Sequence, residues 1–275
     1  MNQSMELAVV REALQSRLLV ELMGNAMHKE LVLKGGMAMR AVYGSVRYTK
    51  DIDLDADLKY SKARVHGIVK RSIERAVSSG LITNAKVTEP KQTETTLRWK
   101  IVGTQPGSAA PLNLTVEVSR RATIANGHII EVPLPAAYGG GAPGVKVQVL
   151  DSQAIAVTKV LALTDPKRMA PRDLYDLHVL IEAEVEDPSH LLLSLPDAGE
   201  RLPQAMAELW PKIEAMTYEQ FKSDVIPYLP DNVAKAIDED AFEDMRLQVG
   251  TSVEKWLKAA TEAPGTALLR TPPGD

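Results

Sequence analysis

The segment RYTKDIDLDAD, Arg47 to Asp57, sets aspartates at positions 51, 53, 55 and 57. Alternate residues of an extended chain share a face, so these carboxylates would crowd one side and repel one another unless something positive sits there. Ile52 and Leu54 fill the intervening positions, which is the period of a half-buried strand. Carboxylates at i and i+2, joined by a third from another strand, make a cage of hard oxygens suited to Mg²⁺ or Mn²⁺. The candidate ligands are Asp51, Asp53 and Glu117, the last being the lone acid of PLNLTVEVS; Asp55 and Asp57 are expected to run out toward solvent. Two such ions about 3.5–4 Å apart activate an attacking hydroxyl and stabilise the leaving phosphate of a nucleotide. A solvated acidic edge strand would explain the D-x-D pattern alone equally well, so the surroundings decide. Upstream, LVLKGGMAMR turns from a short apolar run into a helical pattern at Gly35-Gly36, where a helix start exposes backbone N–H donors to an anion, with Lys34 beside it. Arg47 and the Thr49 hydroxyl stand immediately before the acids. Together these supply a cradle for phosphates.

A second group lies in the other half. Lys159 sits at the edge of an apolar helical face in SQAIAVTKVLAL, where a lysine can simply snorkel. In PRDLYDL, Arg172 and Asp176 are i,i+4 partners and Asp173 and Asp176 are i,i+3 neighbours, a pattern that a surface ion pair would explain without chemistry. The functional alternative is that Asp173 orients Lys159 or Arg172 toward a nucleotide. Other constellations are weak. The histidines show no ligand spacing, no nucleophile elbow is present, and GGGAPG lacks the closing GK[ST] of a phosphate loop, so it reads as a hairpin connection. Aromatic residues are only 4% of the chain, so any RNA contact must depend on charge and shape rather than stacking.

These side chains need elements to hold them. An amphipathic helix is expected over the N-terminal residues to Gly24, and a basic amphipathic helix over 61–79, with Val65, Ile68, Val69 and Ile73 on its apolar face and Lys62, Arg64, Lys70, Arg71 and Arg75 elsewhere. Strands are expected at DIDLDAD, 95–103, 111–119 and 145–150. After residue 150 the pattern is helical, with Asp151 as a cap, Pro171 in a first turn, and proline breaks beyond. The expected domains are 1–150, a helical domain 151–262, and a disordered tail 263–275.

Composition narrows the setting. The chain has 275 residues and no cysteine, which excludes disulfides and thiolate metal sites and fits a reducing cytosol. No apolar run approaches the ~18 residues of a membrane span and the N-terminus has no signal-peptide layout, so a cytoplasmic protein without membrane partners is expected. Residues 1–150 carry 20 Lys+Arg against 13 Asp+Glu, a net +7, whereas the remainder carries 12 against 23, a net −11. A basic half of this kind attracts polyanions such as nucleotides or RNA, and the 62–75 helix is the expected receiving surface.

LKGGMAMRAVYG, RYTKDIDLD, VEVS, TKVLAL and PRDLYDL, in that order over residues 30 to 182, resemble the AbiEii/AbiGii-type nucleotidyltransferase toxins of bacteria, including the MenT proteins. The resemblance implies an α+β architecture: an N-terminal DNA polymerase β-type nucleotidyltransferase domain with a mixed sheet, then a mainly helical C-terminal domain. It implies a toxin of a toxin–antitoxin or phage-defence pair, using Mg²⁺ or Mn²⁺ to transfer a nucleoside monophosphate from an NTP to RNA, in MenT-like members the 3′ acceptor end of tRNA. A cognate antitoxin is implied as partner. The matching positions are Gly35 and Gly36 in the glycine motif, Thr49 where many relatives have Ser, Asp51 and Asp53 as metal ligands, Lys159 facing phosphate, and Asp173 in the acidic motif; Glu117 corresponds less securely to a third carboxylate. Transfer to a protein or small-molecule hydroxyl, or an inactive binding module, are the alternatives.

Overall fold

A computed structural model describes residues 3–24, 30–121, 127–135 and 144–262. The chain divides into two compact units, Met1–Asp151 and Ser152–Asp275. The expected disordered tail lies outside the described residues, as does most of the glycine-rich loop.

In the first unit, α1 (Gln3–Met23) precedes β1 (Leu31–Lys34), α2 (Gly35–Ala41), β2 (Asp51–Ala56), α3 (Lys62–Val77), β3 (Thr83–Gln92), β4 (Thr96–Thr104), β5 (Pro111–Ser119), β6 (Ile129–Pro133) and β7 (Lys146–Leu150). The strands form one mixed sheet in the order β3-β4-β5-β2-β1-β7-β6. The β2–β5 and β1–β7 pairs are parallel, and the β1–β2, β3–β4, β4–β5 and β6–β7 pairs antiparallel. The last of these pairs lies on either side of the glycine-rich loop, whose expected hairpin connection falls mostly outside the described residues. Strands β3 and β6 have no counterpart in the sequence reading, which also took β1 only as a short apolar run. Their residues are almost all exposed, so neither carries the alternation that marks a half-buried strand.

Period two divides the sheet into faces. Ile52 and Leu54, Leu97, Trp99 and Ile101, and Leu112, Leu114, Val116 and Val118 are all buried, forming the apolar face. The alternate residues, Asp51 and Asp53, Arg98 and Lys100, Thr115 and Glu117, therefore occupy the opposite face. The apolar face is covered by α3, whose His66 ring lies 5.4 Å from that of Trp99. Helix α3 begins where Ser61 caps the Arg64 N–H and buries Val65, Ile68, Val69 and Ile73 at helical spacing. It packs on α1 through Ser72, which donates to the Glu21 carbonyl at 3.1 Å.

The second unit is helical: α4 (Ser152–Leu163), α5 (Pro171–Glu182), α6 (Ser189–Leu193), α7 (Ala198–Ala215), α8 (Tyr218–Asp224), a 3₁₀ turn at Ile226–Tyr228, α9 (Asp231–Ala236) and α10 (Glu239–Glu262). Pro171 opens α5 at its first turn, where a missing N–H costs nothing. Phe221 and Phe242 meet with ring centroids 5.0 Å apart. A Cβ on Gly250 would approach the Trp210 ring to 2.9 Å, so α7 and α10 close on one another only because that position is glycine. No described helix is long and apolar enough to cross a membrane.

Candidate functional site

Strand β2 lies between β1 and β5, which surrounds its acidic face on both sides. Lys34 stands opposite Asp53 from β1, and Glu117 stands opposite Asp53 from β5. At the end of β1 the chain turns directly into α2 through Gly35, whose φ of +67° lies in the left-handed region. A Cβ there would fall 2.5 Å from Asp53 Oδ2. Gly36 is pressed similarly: its missing Cβ would lie 3.0 Å from Thr49 Oγ1 and 3.2 Å from an Arg47 guanidinium nitrogen. The paired glycines thus bring one turn of backbone against Asp53, Thr49 and Arg47 together. Thr49 Oγ1 is also 3.4 Å from the Asp51 N–H, and Gln15 Nε2 donates to the Thr49 carbonyl at 3.2 Å, fixing the approach to the strand. Arg47 is buried and Asp51 and Asp53 are half-buried.

The four aspartates fare differently from one another. Among the described residues Asp51 has no ion-pair partner. Asp55 does not run out toward solvent. It is buried and accepts from Lys34 Nζ at 2.5 Å, because β1 places that lysine on the same face beside it. Lys34 stands immediately before the α2 start, as expected, with its ammonium engaged by Asp55. Asp57 does reach solvent; the Lys59 backbone N–H, with smaller help from its ammonium, holds that carboxyl below its usual range.

Glu117 lies in register with Asp53, as a third ligand would, but it accepts from Arg98 Nε at 2.7 Å and from its terminal nitrogen at 2.5 Å. Arg98 comes from β4, directly across from Glu117. Among the described residues no three His, Cys, Asp or Glu side chains are placed to hold a metal ion by themselves. Glu117, the expected third ligand, is thus engaged in this structure by a cross-strand guanidinium in a charge-assisted pair. The two hard carboxylates on the β2 face, with space preserved by Gly35, fit a divalent cation that completes its shell with ligand phosphate oxygens, the habit of Mg²⁺. Arg98 was missed in sequence; its only mark there is an alternate position in TTLRWKIVG, on the polar side of Trp99.

In the second unit, Lys159 does not snorkel. It is buried, and its Nζ donates to Asp173 Oδ1 at 2.9 Å and to Asp176 Oδ2 at 2.6 Å. Burial alone pushes this ammonium down; the Asp176 and Asp173 carboxylates more than reverse that and hold it well above the usual lysine range. Arg168 also donates to Asp173. The surface Arg172–Asp176 pair that could have explained PRDLYDL without chemistry is not what forms: Asp176 is fully buried against Lys159, while Arg172 donates to the Asp224 carbonyl at 3.1 Å and lies over the Tyr228 ring. Arg168 is the member that sequence reasoning left out of this cluster, and Asp176 was read there as a neighbour of Arg172 and Asp173 and not as a partner of Lys159.

A family model, nucleotidyl transferase AbiEii toxin of type IV toxin–antitoxin systems, matches residues 17–259. No curated protein matches the chain. Among solved structures, JHP933 from Helicobacter pylori is 19% identical with a TM-score of 0.54, the match covering 98% of this chain and 99% of that one. MenT4, a nucleotidyltransferase toxin from Mycobacterium tuberculosis H37Rv, is 15% identical with a TM-score of 0.56, over 98% and 96% of the two chains. At such identities the likeness extends to the fold.

Proposed function

The chain belongs to the AbiEii nucleotidyltransferase toxin family, and from that premise we propose that it transfers a nucleoside monophosphate from an NTP to an RNA 3′ hydroxyl in the cytoplasm, the acceptor end of tRNA being the favoured target and a cognate antitoxin its regulator. One observation carries this reading: the Gly35-Gly36 turn, Arg47 and Thr49 converge on Asp51 and Asp53 at the end of a single strand.

In this reading Asp51 and Asp53 hold the divalent cation, which when bound neutralises the triphosphate and activates the acceptor hydroxyl. The Gly35-Gly36 turn keeps side-chain bulk away from Asp53. Arg47 and the Thr49 hydroxyl orient phosphate oxygens, and Arg98 keeps Glu117 from adding an uncompensated charge beside Asp53. The acceptor oxygen bonds to the α-phosphorus, the bond to the bridging β-phosphate oxygen breaks, pyrophosphate leaves, and the hydroxyl proton passes to water. Lys159 facing phosphate and Asp173 beside it enter this proposal through the resemblance alone.

Incubation with each α-labelled NTP, Mg²⁺ and total RNA tests it. Label in RNA is expected, and Asp51→Asn or Asp53→Asn should remove nearly all of it. Label in protein or a small molecule would redirect the acceptor, and no transfer to any of them would leave an inactive binding module.

A further inference from the structure

Residues that face one another across neighbouring strands continue the acidic face outward. Lys34, Asp53, Glu117, Arg98 and Lys91 form one row over five consecutive strands, and Asp51, Thr115, Lys100 and Thr88 form the next. Val102 and Lys86 stand opposite each other one step further along. Cross-strand partners share a face, so Lys86, Lys91 and Lys100 look out on the same side as Asp51 and Asp53. All three are exposed, and among the described residues none has an acidic partner. With strands about 4.8 Å apart, Lys100 lies roughly 10 Å and the β3 lysines roughly 14 Å from the D-x-D strand.

Helix α3, for all its positive charge, is on the other side. Trp99 sits between Arg98 and Lys100 on β4 and therefore points away from them, and it is Trp99 that the α3 residue His66 meets. Several α3 cations are also committed: Lys62 to Glu94 at 3.3 Å, Arg64 to Glu30, Arg75 to Glu21 at 3.7 Å, and Lys70 beside Glu89 at 4.0 Å. Lysines, a proline and bulges on an edge strand also guard against pairing with another chain. That accounts for β3 but not for Lys100, which lies on an interior strand.

We propose that Lys86, Lys91 and Lys100, a cationic strip on the outer strands of the acidic face, dock the phosphate backbone of the RNA acceptor and lead its 3′ end to Asp51 and Asp53. The proposal rests on the RNA reading above. It moves the docking surface from α3 to the opposite side of the sheet.

Binding of fluorescein-labelled bulk tRNA is measured by anisotropy over a salt series, alongside the KM for NTP. Neutralising three phosphate contacts should flatten the log–log salt dependence by about 2 and raise Kd roughly a hundredfold near 0.1 M salt. The K86Q/K91Q/K100Q variant should show this with an unchanged melting temperature and KM for NTP, while R71Q/R75Q on α3 should bind like the parent chain. If the parent binds and the strip variant binds equally, or if the α3 variant shows the loss instead, the strip is overturned and the RNA reading stands. If the parent binds no RNA, the RNA reading falls and the strip falls with it.

Discussion

At the scale of single residues, the glycine pair separates two kinds of constraint. Gly35 is held twice, by a positive φ and by Asp53 Oδ2 at 2.5 Å from any added Cβ. Gly36 has ordinary φ and meets only the side chains of Thr49 and Arg47 at 3.0 Å and beyond, atoms that can give way. Gly35→Ala should therefore cost about 1–3 kcal/mol in urea unfolding, and transfer activity should fall about a hundredfold as Asp53 is displaced. Gly36→Ala should lose less of both. Equal effects in label incorporation would show that contact with Asp53 is not what Gly35 is needed for. The glycine motif and the aspartates were legible because residue type and alternation mark them directly. The pairing of Lys34 with Asp55 and of Arg98 with Glu117 was not. Each depends on the register between neighbouring strands, which spacing along the chain does not give, and a carboxylate counted in sequence as a ligand is engaged across the sheet.

At the scale of elements, α4 and α5 are joined by a buried lysine between two carboxylates. Removing the ammonium would take from the fully buried Asp176 its lysine partner and leave Asp173 to Arg168, so Lys159→Met should destabilise the chain by about 3–5 kcal/mol. Adding Asp176→Leu should recover part of that loss, and the size of the recovery measures how much of it was stranded charge. The pH dependence has a definite sign. The ammonium is held above its ordinary 10.5, so its contribution is intact below that pH and is lost as pH rises through the folded-state value. Tyr43, raised by burial and then by Asp151, acts in the same alkaline direction. Stability should thus fall above about pH 10.5, and less steeply in Lys159→Met, a difference that isolates the lysine from the tyrosine. A helix at 152–163 was plain from its apolar pattern, but the i,i+4 rule offered Arg172 as a partner for Asp176 where Lys159 is the one it meets. Surface spacing says which residues of one helix are neighbours; it does not say that a second helix will bury one of them. Strands β3 and β6 escaped for the converse reason, having no buried side to mark their period.

At the scale of the whole chain, the strand order sets what a metal can do. The net +7 of residues 1–150 was countable in sequence, but not that the sheet would divide it, with α3 behind and the D-x-D face in front. Nor could sequence show that β4 would bring Arg98 to Glu117, the acid expected as a third ligand. Two carboxylates on one strand make an incomplete shell for Mg²⁺, which must be finished by phosphate oxygens. Metal and nucleotide should therefore stabilise the protein together and hardly at all separately. At a hundred times Kd, a ligand selective for the folded state adds about 2.7 kcal/mol. Spread over a chain of this length, that corresponds to a Tm increase of about 5–10 °C. Thermal unfolding with Mg²⁺, with a non-hydrolysable NTP analogue, and with both should show that rise only in the last case, and Asp51→Asn or Asp53→Asn should abolish it. A comparable rise with Mg²⁺ alone would mean that Glu117 leaves Arg98 and completes a three-carboxylate cage after all.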